Sequence, residues 1–348
     1  MEERNQNNSY PGYDKLTKIT VGNSTHYRNL YKVADPRLQL KIENVRALLR
    51  ELLQIPPDYH VLLLNSGNIE HSSIFCMLNF SKEIRGGFLD TGSRSSAAII
   101  SARKYLDVEI IGSSRESSYS YIPQCDWLPQ NISFLHLTST NDLQGNSVSK
   151  FPKVSVPLFC DRSADLFSTR IPFDLFDLVY AQGEGGIIPE HLSLICVRDS
   201  ILAKSSCPIF TEPFLTNRLN QAVDLSFKDM FIFHHWLTDF KSNGGLEANV
   251  SRLCTLSSTL YREIERNTKL RATVNPKDRS VHAVRFFVAN PEDEFIFILQ
   301  LDKENINIVD RLPQGDFLVD LTKYEEEGIF QLINTMQCFE HHSAHERK

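Results

Sequence analysis

Three short apolar runs, close together in the chain, set the strongest constraint on its fold. Residues 157–160 run into Asp161, residues 174–181 run into a Gln182-Gly183-Glu184-Gly185-Gly186 segment, and residues 192–197 end on Arg198. Each is about 4–8 residues long and is bounded by glycine, proline or charge, the signature of a buried strand.

The rest of the chain alternates in the same way. Residues 38–53 form a predicted amphipathic helix, with Leu38, Ile42, Val45, Leu48, Leu49 and Leu52 recurring at i+3 and i+4 and Pro36 near the start. A strand is expected at 59–64, then a turn through Ser66 and Gly67, then a helix at 69–78. A strand and turn at 87–92 lead into a helix at 95–105, and strands follow at 108–112 and 132–137. A helix begins at 200–204, and 215–223 is irregular. The helix at 229–241 stops at Asn243-Gly244-Gly245, as glycine C-caps do. A long helix at 246–265 precedes strands at 281–289, 295–301, 305–309 and 317–321 and a helix at 324–339. Residues 1–30 show no periodicity. Strands alternating with helices predict an α/β fold, and the later segment an α+β unit. The expected division is an N-terminal arm over 1–35, a large domain over 36–245 and a small domain over 246–348.

Composition narrows the function. The formal net charge of −6 at pH 7 argues against a nucleic-acid or anionic-membrane surface, which needs a basic footprint. No run of about 18 apolar residues exists to span a membrane, and the first residues carry no apolar stretch of the signal-peptide kind. Seven cysteines, Cys76, Cys125, Cys160, Cys196, Cys207, Cys254 and Cys338, show no CxxC spacing. They read as reduced core thiols in a cytosolic protein.

The stretch from Asp161 to Arg198 resembles the phosphoserine aminotransferases, fold-type-I, class-V pyridoxal-phosphate enzymes. Asp161, Ser163, Tyr180-Ala181, Ile187, Pro189, Leu192 and Val197-Arg198 fall into that family's frame without a gap. So do the strand-turn-helix around Asp90, Gly92, Ala98 and Tyr105 and the Asn-Gly-Gly at 243–245. The resemblance implies a mostly parallel seven-stranded sheet with helices on both faces, a smaller α+β domain and a homodimer. It also implies a cofactor site: the Gly67 turn at the phosphate, an aromatic residue on the cofactor ring, a threonine near the phosphate, and an aspartate on the pyridine nitrogen, here Asp161. The bland alternative for the Ser66–Gly67 turn is a plain loop between strand and helix, and for Asp161 a turn-capping strand-end residue.

Several of the family's positions are changed. The cofactor lysine falls on Gly185, after Glu184, and glycine supplies no amine for the internal aldimine. The nearest lysines, Lys153 and Lys204, lie beyond neighbouring strands. The ring-stacking aromatic falls on Arg94, the threonine on Asp142, and the Asn-Thr-Pro-Pro phosphate contacts on Val223-Asp224-Leu225-Ser226. The substrate arginines fall on Ala34 and Asp316. With Asp142, Asp161, Asp224 and Glu184 near the pocket and Arg94 the one obvious cation, the expected pocket is acidic and repels phosphate.

Three functions stay open. One is a non-catalytic relative with a binding or partner role, as a homodimer or paired with a related chain, and no covalent cofactor. Another is a repurposed enzyme, with or without non-covalent pyridoxal or pyridoxamine phosphate, using Asp161, Glu184 or His136. The third is a phosphoserine transaminase of serine biosynthesis. His136 otherwise reads as a satisfied core histidine. One of His234 and His235 reads as buried and the other as interfacial. His341, His342 and His345 read as a solvated tail rather than a metal site.

Overall fold

The computed structural model describes residues 16–21, 24–29, 36–65, 84–125, 127–183, 188–190, 192–202 and 225–341. The first elements are an antiparallel hairpin, β1 (Leu16–Val21) and β2 (Ser24–Asn29), which the sequence did not announce. Helix α1 (Pro36–Leu53) buries Leu38, Ile42, Val45, Leu49, Leu52 and Leu53 along one stripe, as its periodicity predicts.

Seven strands then build the main sheet. They are β3 (Tyr59–Asn65), β4 (Arg85–Asp90), β5 (Asp107–Ser113), β6 (Phe134–Thr138), β9 (Leu158–Asp161), β10 (Leu178–Gln182) and β11 (Leu192–Arg198). Between β6 and β9 lies a two-residue hairpin, β7 (Thr140–Asn141) and β8 (Asn146–Ser147). The sheet order is β3-β11-β10-β9-β6-β4-β5. Strand β11 is antiparallel to both neighbours, and every other pairing is parallel. Strands β6, β9 and β10 are buried at every position, which is why they are largely apolar, with His136 inside β6 and Thr138, Asp161 and Gln182 at the strand ends.

Helix α2 (Ser93–Ala102) follows β4, and the short α3 (Asp199–Leu202) follows β11. Helix α4 (Phe227–Ser242) packs on α1. Its Ser226 Oγ accepts a hydrogen bond from the Asp229 N–H, so that serine is a helix cap. The helix ends where predicted: Gly244 takes φ +91°, a left-handed geometry that a side chain would strain.

Helix α5 (Gly245–Arg266) leads to a second core. A four-stranded antiparallel sheet is ordered β12 (Leu270–Ala272), β13 (Ala283–Val288), β15 (Phe317–Asp320), β14 (Asp310–Arg311). Helices α6 (Pro291–Lys303) and α7 (Glu326–His341) cover it. Phe286, Phe297, Phe317 and Phe339 interlock there, with ring centroids 4.9–6.1 Å apart. This core and that of the main sheet form two separate buried clusters.

Two expectations fail in this part. Residues 295–301 are helix α6, not a strand. The Asn290 side chain accepts from the Glu292 N–H, Pro291 opens the first turn, and Glu292, Asp293 and Glu294 favour the helix N-terminus. The apolar run reads as a strand by itself, but Phe297 and Leu301 are its buried i, i+4 pair. Residues 305–309 carry no strand; the pairing starts at Asp310. The helix expected at 69–78 and the irregular segment at 215–223 lie outside the described residues.

Among the described cysteines, Cys160 and Cys196 are buried and Cys125 is half-buried, as core thiols should be. Cys254 and Cys338 are exposed, which corrects the core assignment for those two: they sit on the outer faces of α5 and α7. No described helix is long and apolar enough to cross a membrane.

Candidate functional site

The parallel strands end side by side, and their carboxyl ends carry polar residues where apolar ones stop. This is the edge at which open α/β sheets place ligands. Asp161 is in register with Thr138 on β6 and with Tyr180 on β10. Register partners share a face, and so do residues two apart. His136, Thr138, Asp161, Tyr180 and Gln182 therefore stand on one side of the sheet.

Asp161 is fully buried. Its Oδ1 accepts hydrogen bonds from the Ser163 N–H at 2.9 Å and the Ser163 hydroxyl at 2.5 Å. The same hydroxyl accepts from the Gln182 N–H at 3.0 Å, which ties the β9 turn to the end of β10. His136 Nε2 lies 3.0 Å from the Tyr180 hydroxyl, and its ring is tilted over Phe88 at 5.0 Å. Burial pushes the Tyr180 phenol well up, and the Asp161 charge pushes it further. Tyr180 is thus held protonated, as a donor.

One wall of the site comes from α2. Gly92 passes so close to Asn141 that a Cβ would sit 2.4 Å from the Asn141 side chain. Asn141 Oδ1 accepts from the Ser95 N–H, and Gln144 Oε1 accepts from the Ser93 N–H. The helix N-terminus therefore spends its donors inside the protein. Arg94 reaches across to Asp142 with two parallel bonds, Nε to Oδ1 and Nη2 to Oδ2, both 2.9 Å. This fork geometry is the strong form of an ion pair. Burial pushes the Asp142 carboxyl up, but the Arg94 bonds and charge outweigh it and hold the group below its usual range.

Behind the strand ends lies a second, deeper pair. Arg162 Nε is 3.3 Å from Asp165 Oδ1, and both side chains are 1% exposed. Asp165 also accepts from Ser139 Oγ at 2.6 Å and Thr140 Oγ1 at 2.9 Å. Asp90 accepts from Ser96, Ser113 and Arg115. In the second core, Arg285 pairs with Asp316 at 2.7 Å, and its Nη1 reaches the Leu143 carbonyl.

No family model matches the chain. Among curated proteins, the phosphoserine aminotransferase of Parabacteroides distasonis is 32% identical over 267 residues, spanning 73% of each chain. The chain belongs to the phosphoserine aminotransferase family. The phosphoserine aminotransferase of Azobacteroides pseudotrichonymphae is 28% identical over 354 residues, covering 96% of this chain and 97% of its own. The solved phosphoserine aminotransferase of Bacillus circulans subsp. alkalophilus superposes with a TM-score of 0.76 at 24% identity, over 89% of this chain and 88% of that one. The α/β fold and the mostly parallel main sheet are those of the phosphoserine aminotransferase structures.

Set against the family frame, the structure brings Arg94, Asp142, Asp161 and Ser163 to the same end of the sheet. Ser66, Gly67, Glu184, Gly185, Val223 and Asp224 lie outside the described residues, as do Ala34, His342 and His345. Of the four carboxylates expected to crowd the pocket, Asp142 and Asp161 are described and Glu184 and Asp224 are not. Asp142 is matched by Arg94, Asp165 by Arg162 and Asp90 by Arg115. Arg94 is therefore not the one cation near the site, since Arg115 and Arg162 pair with carboxylates there too. Asp316, a weak placement for a substrate arginine, has a guanidinium beside it from β13, that of Arg285. His136 is the buried core histidine expected. Neither His234 nor His235 is buried: His234 is half-buried, and His235 is exposed beside Asp239. His341 is exposed, and the described residues hold no metal-binding cluster.

Sequence reasoning passed over Arg162 and Asp165. The signal was present: two opposite charges three residues apart, in a segment flanked by apolar runs, have to satisfy each other.

Pyridoxal phosphate fits the described residues poorly. Asp161 is retained, yet the Arg94 guanidinium and the Asp142 carboxylate are bonded to each other at the wall where the family frame implies a ring-stacking aromatic and a phosphate-binding threonine.

His282, at the start of β13, is 2% exposed and couples the two cores. Its Nδ1 faces Ser280 Oγ, and the charges of Asp165, Asp320, Asp142 and Arg94 act on it. Burial lowers its pKa below 6.5, and the three carboxylates only partly oppose that. The unfolded chain therefore takes up this proton first as the pH falls. Stability is fully present above about 6.5 and is lost progressively below it, toward the lower folded value. In urea unfolding from pH 7.5 to 5, His282→Gln should flatten that loss relative to the parent chain. An unchanged slope would show that His282 does not carry it.

Proposed function

We propose that this chain is a phosphoserine-aminotransferase-family protein that does not transaminate and serves a binding or partner role. The Arg94–Asp142 pair carries the proposal, because it ties to each other two positions that the family frame assigns to the cofactor. Gly185 at the lysine position supports it independently. Addition of pyridoxal phosphate to purified protein tests it. The protein should stay colourless, with no band of a lysine-bound cofactor, and should show no phosphoserine–oxoglutarate turnover. A persistent band with turnover would instead place it with the transaminases its relatives are named for.

A second function is favoured by the intact Asp161, Tyr180 and His136 side chains, which keep a buried donor and carboxylate together. A repurposed enzyme holding pyridoxal or pyridoxamine phosphate without a covalent link would take on a colour that dialyses away.

We also propose a cytosolic homodimer through the main-sheet part. Leu40 on α1 and Phe231 and Ile232 on α4 are 43–63% exposed, on two helices that pack together. Apolar surface of this kind suits a subunit interface. Sedimentation should give a dimer at micromolar concentration; a stable monomer that pairs only with a related chain would favour the heteromer.

A further inference from the structure

The stretch from Arg262 to Arg279 holds six cations and three carboxylates, in a chain of net charge −6. Two of those carboxylates, Glu263 and Asp278, are buried, and Glu263 pairs with Arg266. Strand β12 lies in this stretch, at the edge of its sheet. Lys269 O accepts from the Ala289 N–H and the Thr273 N–H donates to Arg285 O, so residues 269, 271 and 273 turn their main chain toward β13. By alternation, Leu270 and Ala272 turn theirs to the open edge. An open groove of about 470 Å³ runs along that edge, lined by Arg266, Arg271, Arg279 and the last turn of α5.

Arg271 differs from its two neighbours. Arg266 pairs with Glu263 and Glu340, and Arg279 pairs with Glu265. The Nη1 of Arg271 donates to the carbonyls of Leu270, Thr268 and Asn267 at 2.6–3.2 Å, and Arg271 makes no ion pair among the described residues. One nitrogen anchors the guanidinium while Nε and Nη2 keep a fork suited to a carboxylate.

We propose that this groove binds an acidic polypeptide segment in extended conformation, which adds as a strand to β12 and places a carboxylate on Arg271. Because the Leu270 carbonyl already accepts from Arg271, the Leu270 N–H and the main chain of Ala272 supply the pairing, and alternate acidic side chains supply the charge match. The site lies on the second core, apart from the main-sheet strand ends, and does not depend on whether the chain transaminates.

The test is fluorescence anisotropy of the full-length protein with a labelled Glu-Val-Glu-Val-Glu peptide at low salt. Binding is expected, weakening as salt rises. Arg271→Gln should weaken it about tenfold, the size of one charge-assisted hydrogen bond. Arg279→Gln, a second variant in case the first fails to fold, should weaken it too, with the thermal midpoint of each variant as the folding check. Methylating alternate peptide amides should abolish binding. The proposal is overturned by no binding to the parent chain, by equal binding of the methylated peptide, or by equally tight binding of a single-stranded DNA of the same charge, which would mark a generic basic surface.

Discussion

Substituting Gly185→Lys should leave phosphoserine–oxoglutarate transamination undetectable. A lysine restores an amine but nothing else. Arg94 would still be held by two 2.9 Å bonds to Asp142, leaving neither a ring-stacking aromatic nor a phosphate-binding hydroxyl at that wall. Val223 and Asp224 would still replace the family's phosphate contacts. Catalysis needs the reacting groups held in one geometry, and that positioning is worth roughly 7–11 kcal/mol in well-oriented systems. One side chain does not recover it. In the parent chain, pyridoxal phosphate followed by borohydride should give no stoichiometric phosphopyridoxyl-lysine in the main-sheet part by peptide mass mapping. A single modified lysine there, or turnover by Gly185→Lys, would show that the remaining changes matter less than the geometry implies.

The largest stability effect is expected at Arg162. Its guanidinium and the Asp165 carboxylate are both 1% exposed, and Asp165 has already drawn in Ser139 and Thr140. Arg162→Ala would leave a carboxylate in the core without its cation. Breaking a buried pair from one side costs roughly 3–5 kcal/mol, because the remaining charge is neither solvated nor matched. Replacing both partners with apolar residues, Arg162→Met with Asp165→Leu, should cost less than the sum of the two single changes, since no charge is stranded. Urea unfolding of the two single variants and the double variant checks this. A loss below about 1 kcal/mol for Arg162→Ala would mean that water or relaxation satisfies Asp165.

Much of the main sheet was legible because its strands are buried on both faces. Residues 158–161, 178–182 and 192–198 are apolar throughout and closed by charge or glycine, so their limits were readable to within a few residues. The second core was harder. Phe295-Ile296-Phe297-Ile298-Leu299 is apolar without a helical gap, and it was read as a strand although Asn290-Pro291 and three acidic residues mark a helix start. Its exposed Phe295 and Leu299 blurred the stripe. Strand β12 was missed because three residues carry no period.

At the site, individual residues were legible and their pairings were not. Arg94 and Asp142 lie 48 residues apart, and only the fold brings them within bonding distance. Two substitutions that each read as damage to a phosphate site are, in the structure, one neutral pair. Asp142 is thus a matched charge at that wall, with Asp161 held by Ser163, while Glu184 and Asp224, the other carboxylates of the expected acidic pocket, lie outside the described residues.

Isothermal titration of the purified protein with pyridoxal phosphate at low salt tests the central claim most directly. Arg94 and Asp142 are bonded to each other where the family frame implies cofactor contacts, so the predicted result is no measurable heat into the millimolar range, and none for phosphoserine. Pyridoxal phosphate binding at micromolar concentration or tighter would contradict that claim.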